Sequence, residues 1–205
     1  MPAPEHAQPD TARGHARGRA TREEILEAAL GLFGQVGYQS ASLREIAARV
    51  GITHPGLLHH FPSKESLLAA VLRRRDEVDE AAIAADVERV GFLEALVRVV
   101  ERNAARPGLV ELFTILSAEA TTASHPAHAY FQQRYDRVLA TATAAFEQHR
   151  TEGTLRPDVE PAAAARRLVA VMDGLQVQWL LDAARPAARV DMAAEVRAQY
   201  LSFLA

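Results

Sequence analysis

The sequence predicts an all-α protein of about nine helices. Apolar residues recur at spacings of three and four along most of the chain, and no segment alternates as a half-buried strand does. Ser, Thr, Gly and Pro stand where the helical patterns begin and end. The 205 residues are 49% hydrophobic, which is enough to bury the core of one or two compact domains.

The first helix is predicted to follow an N-terminal arm. Residues 1–18 are rich in Pro, Ala, Gly and His and have no apolar period, which is typical of a disordered segment. Thr21 is the candidate N-cap of the first helix, because Glu24 follows three residues later and an apolar stripe comes after it. Gly37 is expected to end this helix.

Three further helices complete an N-terminal domain that is predicted to span residues 19–79. Each begins with a residue type that favours helix N-caps, and these residues are Ser42, Thr53 and Ser63. Glu45 stands three residues after the first cap and predicts a capping box there. Gly51 ends the short second helix and Pro62 ends the third, whereas the fourth continues toward residue 78.

Residues 80–205 are predicted to form a second helical domain. Proline or glycine residues divide it into five helical stretches. These stretches are residues 88–104, 107–121, 126–152, 160–183 and 189–203. The fourth helix of the chain connects this domain to the first one and is the predicted route for any signal between them.

Composition excludes several classes of protein. The chain has no cysteine and no apolar run long enough to span a membrane, so we expect a cytoplasmic protein without disulfides, thiolate zinc sites or a cysteine redox sensor. We expect no membrane, metal or cofactor to be bound. The Gly-x-Ser-x-Gly, His-Glu-x-x-His and P-loop motifs of enzymes are missing, and we expect no enzyme. Residues 1–75 carry 10 Lys+Arg against 7 Asp+Glu, while the remainder carries 13 against 19. This imbalance permits binding to a phosphate backbone, although solvated helix faces also produce it.

The sequence predicts a helix-turn-helix, which is formed by two short helices joined by a glycine turn, residues 42–50 and 54–61. Leu57 and Phe61 form the inward face of the second helix, which leaves its other side free to enter a major groove. Several motifs occur together around this unit: Ala-Leu-x-Leu-Phe, Gly-Tyr, Ser-Leu-Arg-Glu-Ile-Ala-x-x-Val-Gly and Ser-Lys-Glu-x-Leu-Leu. On these motifs, residues 21–72 resemble the DNA-binding domain of TetR-family transcriptional regulators.

The resemblance implies which residues contact double-stranded DNA. It assigns base or sugar-phosphate contacts to His54, Pro55, Gly56 and Leu58, and phosphate contacts to Ser42, Arg44, Thr53, His60 and Lys64. Lys64 begins a helix, where backbone N–H groups also favour a phosphate. The arm arginines are candidates to follow the adjacent minor groove, and they are Arg13, Arg17 and Arg19.

The recognition helix departs from the common family pattern at Leu58, where an aromatic residue is usual. Leu58 offers only an apolar contact, for example to a thymine methyl group. Sequence readout is therefore expected to depend more on His54, on His59 and on DNA shape. The alternative is that the histidines of this helix are ordinary surface residues, and no acidic partner is spaced to make them metal ligands.

The stretch 161–182 is apolar around most of its circumference, which predicts burial against its own domain and against a second subunit. TetR-like proteins dimerise through their last two long helices. The resemblance thus implies a homodimer with the candidate interface residues Leu168, Val171, Leu175, Leu180, Val196 and Tyr200. A twofold dimer predicts a pseudo-palindromic operator. The alternative is a central core helix of a monomer.

The family also implies an effector cavity within the C-terminal helices. The candidate lining residues are Leu96, Val100, Phe113, Leu116, Phe131, Tyr135, Met172, Gln176 and Trp179. Because this set is mostly apolar, it predicts a small apolar or aromatic effector. The alternative for each residue is an ordinary place in the core. For His125 and His128 we expect a capping or surface role rather than metal binding.

The predicted function is that of a sequence-specific DNA-binding transcriptional regulator. We expect a repressor that a small molecule releases from its operator. The alternative is a related activator or a DNA-binding protein without an effector.

Overall fold

The computed structural model describes residues 10–205, with the backbone alone for residues 10–15, 78, 79 and 186. Within this part of the chain it has nine α-helices and no strand, which confirms the all-α prediction. The helices are α1 (Asp10–Ser40), α2 (Leu43–Val50), α3 (His54–His60), α4 (Lys64–Val90), α5 (Phe92–Ala104), α6 (Pro107–Glu119), α7 (His128–Thr151), α8 (Pro161–Leu181) and α9 (Met192–Leu201). A short 3-10 turn, Pro186–Ala188, precedes α9.

The helix α1 begins earlier than the sequence predicts. It starts at Asp10, so residues 10–18 are helical and the prediction of an irregular arm was wrong for them, while residues 1–9 lie outside the described part. Thr21 is therefore an interior residue of α1 and not its N-cap. The alanines and arginines of this segment have high helix propensity, and lengthening an existing helix costs far less than nucleating one.

Gly37 ends the regular part of α1, as the sequence predicts. Its φ of 77° and ψ of 170° interrupt the helix. This backbone conformation is essentially restricted to glycine, because a side chain there would clash with the adjacent peptide groups. The chain changes direction at Gly37 and leads through Tyr38 into the helix-turn-helix.

The helices α1 to α4 pack around a core that α6 also enters. Phe33 and Leu57 are completely buried in this core, and so are Leu112 and Leu116 of α6. At Gly34 the two helices come very close, since a Cβ there would lie 3.1 Å from the backbone nitrogen of Leu112. The DNA-binding half of the chain is thus packed directly on a helix of the C-terminal half.

A second core lies among α5, α7, α8 and α9. Phe146 is completely buried in it and makes a T-shaped contact with Phe203, with 5.7 Å between the ring centroids. The helix α4 runs without a break across the predicted domain boundary at residues 79 and 80 and therefore joins the two cores. None of the helices found in residues 10–205 has both the length and the apolar character that crossing a bilayer requires.

Candidate nucleic-acid interface and internal cavity

Local hydrogen bonds fix the turn between α2 and α3. Ser42 caps α2, and its Oγ accepts a hydrogen bond from the Arg44 backbone nitrogen at 3.2 Å. Gly51 ends α2 in the left-handed conformation, and Thr53 Oγ1 accepts a hydrogen bond from the Gly56 nitrogen at 3.1 Å. The predicted caps of α2 and α3 are therefore present. These capping hydrogen bonds join residues that are close along the chain, so the caps do not depend on tertiary packing.

The capping box that was predicted with Glu45 does not form. The Glu45 carboxylate instead lies 2.9 Å from Arg49, one turn further along α2. An ion pair at this spacing is favourable on a helix surface. It competes with the hydrogen bond that the Glu45 side chain would accept from the backbone nitrogen of the N-cap residue in a capping box. Arg49 also donates hydrogen bonds to Gln35 of α1, so this cation is committed to contacts within the protein.

The recognition helix α3 turns its polar side outward. Leu57 is completely buried and Phe61 is nearly so, which fixes the inward face. The predicted DNA-contacting residues all lie on the accessible side: Pro55 and His59 are exposed, and His54, Gly56, Leu58 and His60 are half-buried. Seven residues form this helix, which matches the short insertion that a major groove accepts.

Other predicted contact residues lie outside α3. Ser42, Arg44 and Thr53, in and next to the helix-turn-helix, are exposed. In the N-terminal part of α1, Arg17 and Arg19 are exposed, while the side chain of Arg13 lies outside the described residues. These predicted contact residues are therefore accessible, both at the helix-turn-helix and at the start of α1.

Lys64 is held more tightly than the sequence suggests. Its Nζ donates a hydrogen bond to the Gln39 carbonyl oxygen at 3.1 Å and lies 4.5 Å from the centre of the Tyr38 ring. Partial burial lowers the pKa of the ammonium group. Lys64 therefore joins α4 to the corner that follows α1, in addition to any contact with a phosphate.

A polar corner connects the DNA-binding half to α6. The Tyr38 backbone nitrogen donates a hydrogen bond to the Glu119 carboxylate at 2.7 Å, and the Tyr38 hydroxyl donates to Glu65 at 3.0 Å. His125 packs edge-on against the Tyr38 ring, with its Nε2 3.6 Å from Glu119. No sequence pattern indicates this corner, because Tyr38 and Glu119 are 81 residues apart.

His125 and His128 both interact with the backbone between α6 and α7. His125 is buried, and its Nδ1 accepts a hydrogen bond from the Ala127 nitrogen at 3.2 Å. The Nδ1 of His128 lies 2.7 Å from the Ala120 carbonyl oxygen. Burial lowers the pKa of His125, so the folded protein favours its neutral form.

This burial predicts a loss of stability in mild acid. Because the His125 pKa in the folded state is below its unfolded value of about 6.5, the unfolded chain binds the proton more readily. The free energy of unfolding should be unaffected by this group above that pH and should fall as the pH drops below it. In urea unfolding across this range, His125→Asn should weaken the pH dependence, and the exposed-site control His59→Gln should leave it unchanged. Equal slopes for wild type and His125→Asn would contradict the prediction.

A cavity of about 480 Å³ lies among α5, α6, α7 and α8, with Arg75 of α4 at its wall. Six of the nine predicted residues line it: Val100, Phe113, Phe131, Tyr135, Met172 and Gln176. Leu96, Leu116 and Trp179 do not. Leu116 is fully buried in the first core, Leu96 and Trp179 belong to the second, and the guanidinium of Arg189 covers the Trp179 ring at 3.2 Å.

The cavity is more polar than the sequence predicts. Arg75 and Arg134 both lie against the Phe113 ring, at 4.2 Å and 4.9 Å from its centre. Asn103 and Thr114 each bring a buried side-chain oxygen that has no hydrogen-bond partner within the described residues. These polar groups were missed because they lie on four different helices, and no spacing within one helix indicates that they meet.

One carboxylate outside the cavity holds the two arginines together. Asp76 lies 3.0 Å from Arg75 and 3.6 Å from Arg134, and it also accepts the Tyr130 hydroxyl at 3.0 Å. On the α8 side, the exposed Asp173 accepts a hydrogen bond from the Tyr135 hydroxyl at 2.8 Å. The cavity wall itself therefore contains two guanidinium groups and one carboxylate.

The predicted dimer residues fall into two groups. Leu168, Val196 and Leu175 are buried in the core of a single chain, so the expectation that they face a second subunit needs correction. Val171, Leu180 and Tyr200 are half-buried, and the Tyr200 hydroxyl donates a hydrogen bond to Glu94 within the same chain. On α8 and α9, the large apolar side chains that remain exposed are other residues, namely Val177, Leu181 and Leu201, which are 45%, 75% and 50% exposed.

The accessible recognition helix and the internal cavity define a helix-turn-helix protein with a pocket of ligand size. The sequence model described as "Bacterial regulatory proteins, tetR family" matches residues 25–71, and the model of the "BetI-type transcriptional repressor, C-terminal" matches residues 92–203. The second match covers more than half of the chain. The protein therefore belongs to the TetR family and is a DNA-binding transcriptional regulator.

Individual relatives agree with this assignment. The chain is 26% identical to the HTH-type transcriptional regulator UidR of Escherichia coli strain K12 over 156 residues, which are 76% of this chain and 79% of UidR. A putative transcriptional regulator from Saccharomonospora viridis in complex with choline superposes with a TM-score of 0.75 at 26% identity, covering 91% of this chain and 98% of that one. Salmonella enterica GusR superposes with a TM-score of 0.68 at 26% identity, covering 90% and 95%.

Proposed function

We propose that the protein is a homodimeric repressor that binds a pseudo-palindromic operator and leaves it when a small molecule enters the cavity. One observation carries the proposal. The helix α6 lines the cavity through Phe113 and Thr114, and the same helix contacts the DNA-binding half at Gly34 and through Glu119. A ligand that displaces α6 would therefore move the part of the protein that carries the recognition helix.

In the proposed complex, α3 enters the major groove. His54, Pro55, Gly56, Leu58 and His59 contact bases and sugars, and Ser42, Arg44, Thr53, His60 and Lys64 contact phosphates. Arg17 and Arg19 approach the neighbouring minor groove from the start of α1. The exposure of this face and the local caps of α2 and α3 support these roles.

The proposed switch has two states that differ in the tilt of the DNA-binding halves. Both α4 and α6 transmit the change, because Arg75 of α4 and Phe113 of α6 meet at the cavity wall. By linkage, the ligand weakens DNA binding by the same factor by which DNA weakens ligand binding, typically about 1–3 kcal/mol. Free energy of this size corresponds to roughly a 5- to 150-fold change in operator affinity.

A second subunit is proposed to cover the outer face of α8 and α9. Exposed side chains as large as Leu181 and Leu201 favour burial in a dimer, and Val177 belongs to both this face and the cavity wall. Two subunits related by a twofold axis would present two copies of α3 on one face of the DNA, which requires two half-sites in opposite orientations.

The relative from Saccharomonospora viridis binds choline, which makes a quaternary ammonium ion a second candidate ligand. Cations of this kind bind in cages of accessible aromatic rings. In this chain two guanidinium groups, those of Arg75 and Arg134, lie against Phe113, the aromatic ring that α6 contributes to the cavity wall. These positive charges disfavour a cationic ligand here, and we propose a different class below.

The DNA-binding part of the proposal is tested by selection from random duplexes. The full chain should enrich a pseudo-palindromic sequence, and Arg44→Ala should weaken binding to the selected duplex without changing the preferred sequence. The slope of log affinity against log salt should fall by about 1 for each phosphate contact that is lost. The control is Arg150→Ala, because Arg150 is an exposed residue near the end of α7 that pairs with Glu147.

Either of two results would contradict this assignment. The absence of any enriched duplex would argue against sequence-specific binding by α3. A salt slope that is the same for wild type, Arg44→Ala and Arg150→Ala would remove Arg44 from the phosphate contacts.

A further inference from the structure

The guanidinium group of Arg134 is the least satisfied charged group of the cavity wall. Among the residues that the structure describes it donates no hydrogen bond, and its one carboxylate contact is Asp76 at 3.6 Å. Asp76 lies closer to Arg75, at 3.0 Å, and also accepts the Tyr130 hydroxyl. Arg134 thus offers several N–H donors beside a carboxylate that is already shared.

The surroundings of Arg134 make a second anion favourable. The side chain is partly buried, with 26% of its surface exposed, and both burial and the neighbouring charge of Arg75 lower its pKa. These conditions penalise a charged group that has no close counterion. The carboxylate of the cavity wall, Asp173, is exposed and is hydrogen-bonded by Tyr135, so it does not supply that counterion within ion-pair distance.

The other residues of the cavity wall indicate which kind of ligand body would fit beside Arg134. Phe113 and Phe131 pack edge-to-face at 5.7 Å and provide an apolar wall next to Arg134. Asn103 Oδ1 and Thr114 Oγ1 are buried without a partner among the described residues. An apolar or aromatic body therefore fits this wall, and a hydroxyl or amine group on it would find two acceptors.

We propose that the effector is a small organic carboxylate with an apolar or aromatic body, and that Arg134 binds its carboxylate group. Guanidinium groups bind carboxylates through two parallel hydrogen bonds, which fixes the orientation of the ligand. This inference rests on the proposed function, since it names the class of molecule that releases the protein from its operator.

The test compares matched probes on the 205-residue chain. The carboxylates are phenylacetate, phenylbutyrate and naphthylacetate, and each is paired with its primary amide and its trimethylammonium analogue. Thermal unfolding should show a rise in Tm with the carboxylates alone, and calorimetry should give their Kd. In Arg134→Gln the Kd should be roughly tenfold to hundredfold higher, because a hydrogen bond to a charged group is lost.

Two further variants separate the loss of the Arg134 guanidinium group from a general loss of positive charge. Arg137→Gln removes a cation from an exposed position on the same helix, outside the cavity wall, and should leave the Kd unchanged. Arg134→Lys keeps the positive charge and should lie between wild type and Arg134→Gln. Equal or greater stabilisation by the amides or the ammonium probes, stabilisation by none of the probes, or an unchanged Kd in Arg134→Gln would overturn the inference.

Operator retention in the presence of the carboxylates separates this inference from the proposed function. If the carboxylates bind through Arg134 and reduce operator binding, both stand. If they bind through Arg134 and operator binding is unaffected, the ligand class stands and the release mechanism fails.

Discussion

Gly37→Ala should lower the free energy of unfolding by roughly 2–5 kcal/mol. The backbone at φ 77° and ψ 170° disfavours any side chain, and a Cβ at this position would overlap the Glu119 carboxylate. Moving Glu119 away would break its hydrogen bond with the Tyr38 nitrogen and leave that buried donor without a partner. Chemical denaturation at equal protein concentration measures the loss.

Gly51→Ala is the matched control for this effect. Gly51 also has a positive φ, 75°, but its ψ of 28° is a left-handed helical conformation that other residues tolerate, and a Cβ there meets nothing within 4 Å. It should cost only about 1 kcal/mol. In a Glu119→Ala background the cost of Gly37→Ala should also fall, because the carboxylate that it displaces is gone. Strict additivity of the two substitutions would show that Glu119 has no part in the effect.

Leu181→Asp should convert the dimer to a monomer, with a rise in the dimer dissociation constant of roughly a hundredfold or more. Leu181 is 75% exposed in the single chain, near the end of α8, and the exposed Val177 lies one turn before it. In the proposed dimer a twofold axis would place the new carboxylate in both subunits, so the cost of burying it would occur twice. Sedimentation measures the change in mass, and operator binding should weaken with it because one half-site alone binds poorly.

Val36→Asp provides the comparison for Leu181→Asp. Val36 is an exposed apolar residue as well, at 44%, but it lies on α1 and away from the face formed by α8 and α9. Its substitution should leave the mass unchanged. A Leu181→Asp protein that sediments like wild type would locate the dimer interface elsewhere.

Most of the DNA-binding unit could be predicted from the sequence. The N-caps Ser42 and Thr53, the stop at Gly51 and the inward residue Leu57 all form as predicted. Each depends on contacts within a few residues along the chain, so the residue types at fixed spacings carry the information. The predicted start of α1 at Thr21 was wrong, because the helix begins at Asp10. A polar segment that is joined to a stable helix can extend it without an N-cap motif at the predicted position.

The C-terminal half was predicted less completely. Helical periodicity located its helices, but α8 is apolar on nearly every side, and periodicity does not say which neighbour covers each side. Only packing decided that Leu168 and Val196 lie in the core of one chain while Leu181 remains exposed.

What the sequence alone determined is the succession of helices and the identity of the recognition helix, because these follow from local hydrogen bonding and from spacing along one helix. The tertiary structure alone decided the corner of Tyr38 and Glu119 and the meeting of Arg75 with Arg134 at Phe113. The partners in these contacts are tens of residues apart and lie on different helices. Their proximity is a consequence of how the helices pack, which no pattern within one segment records.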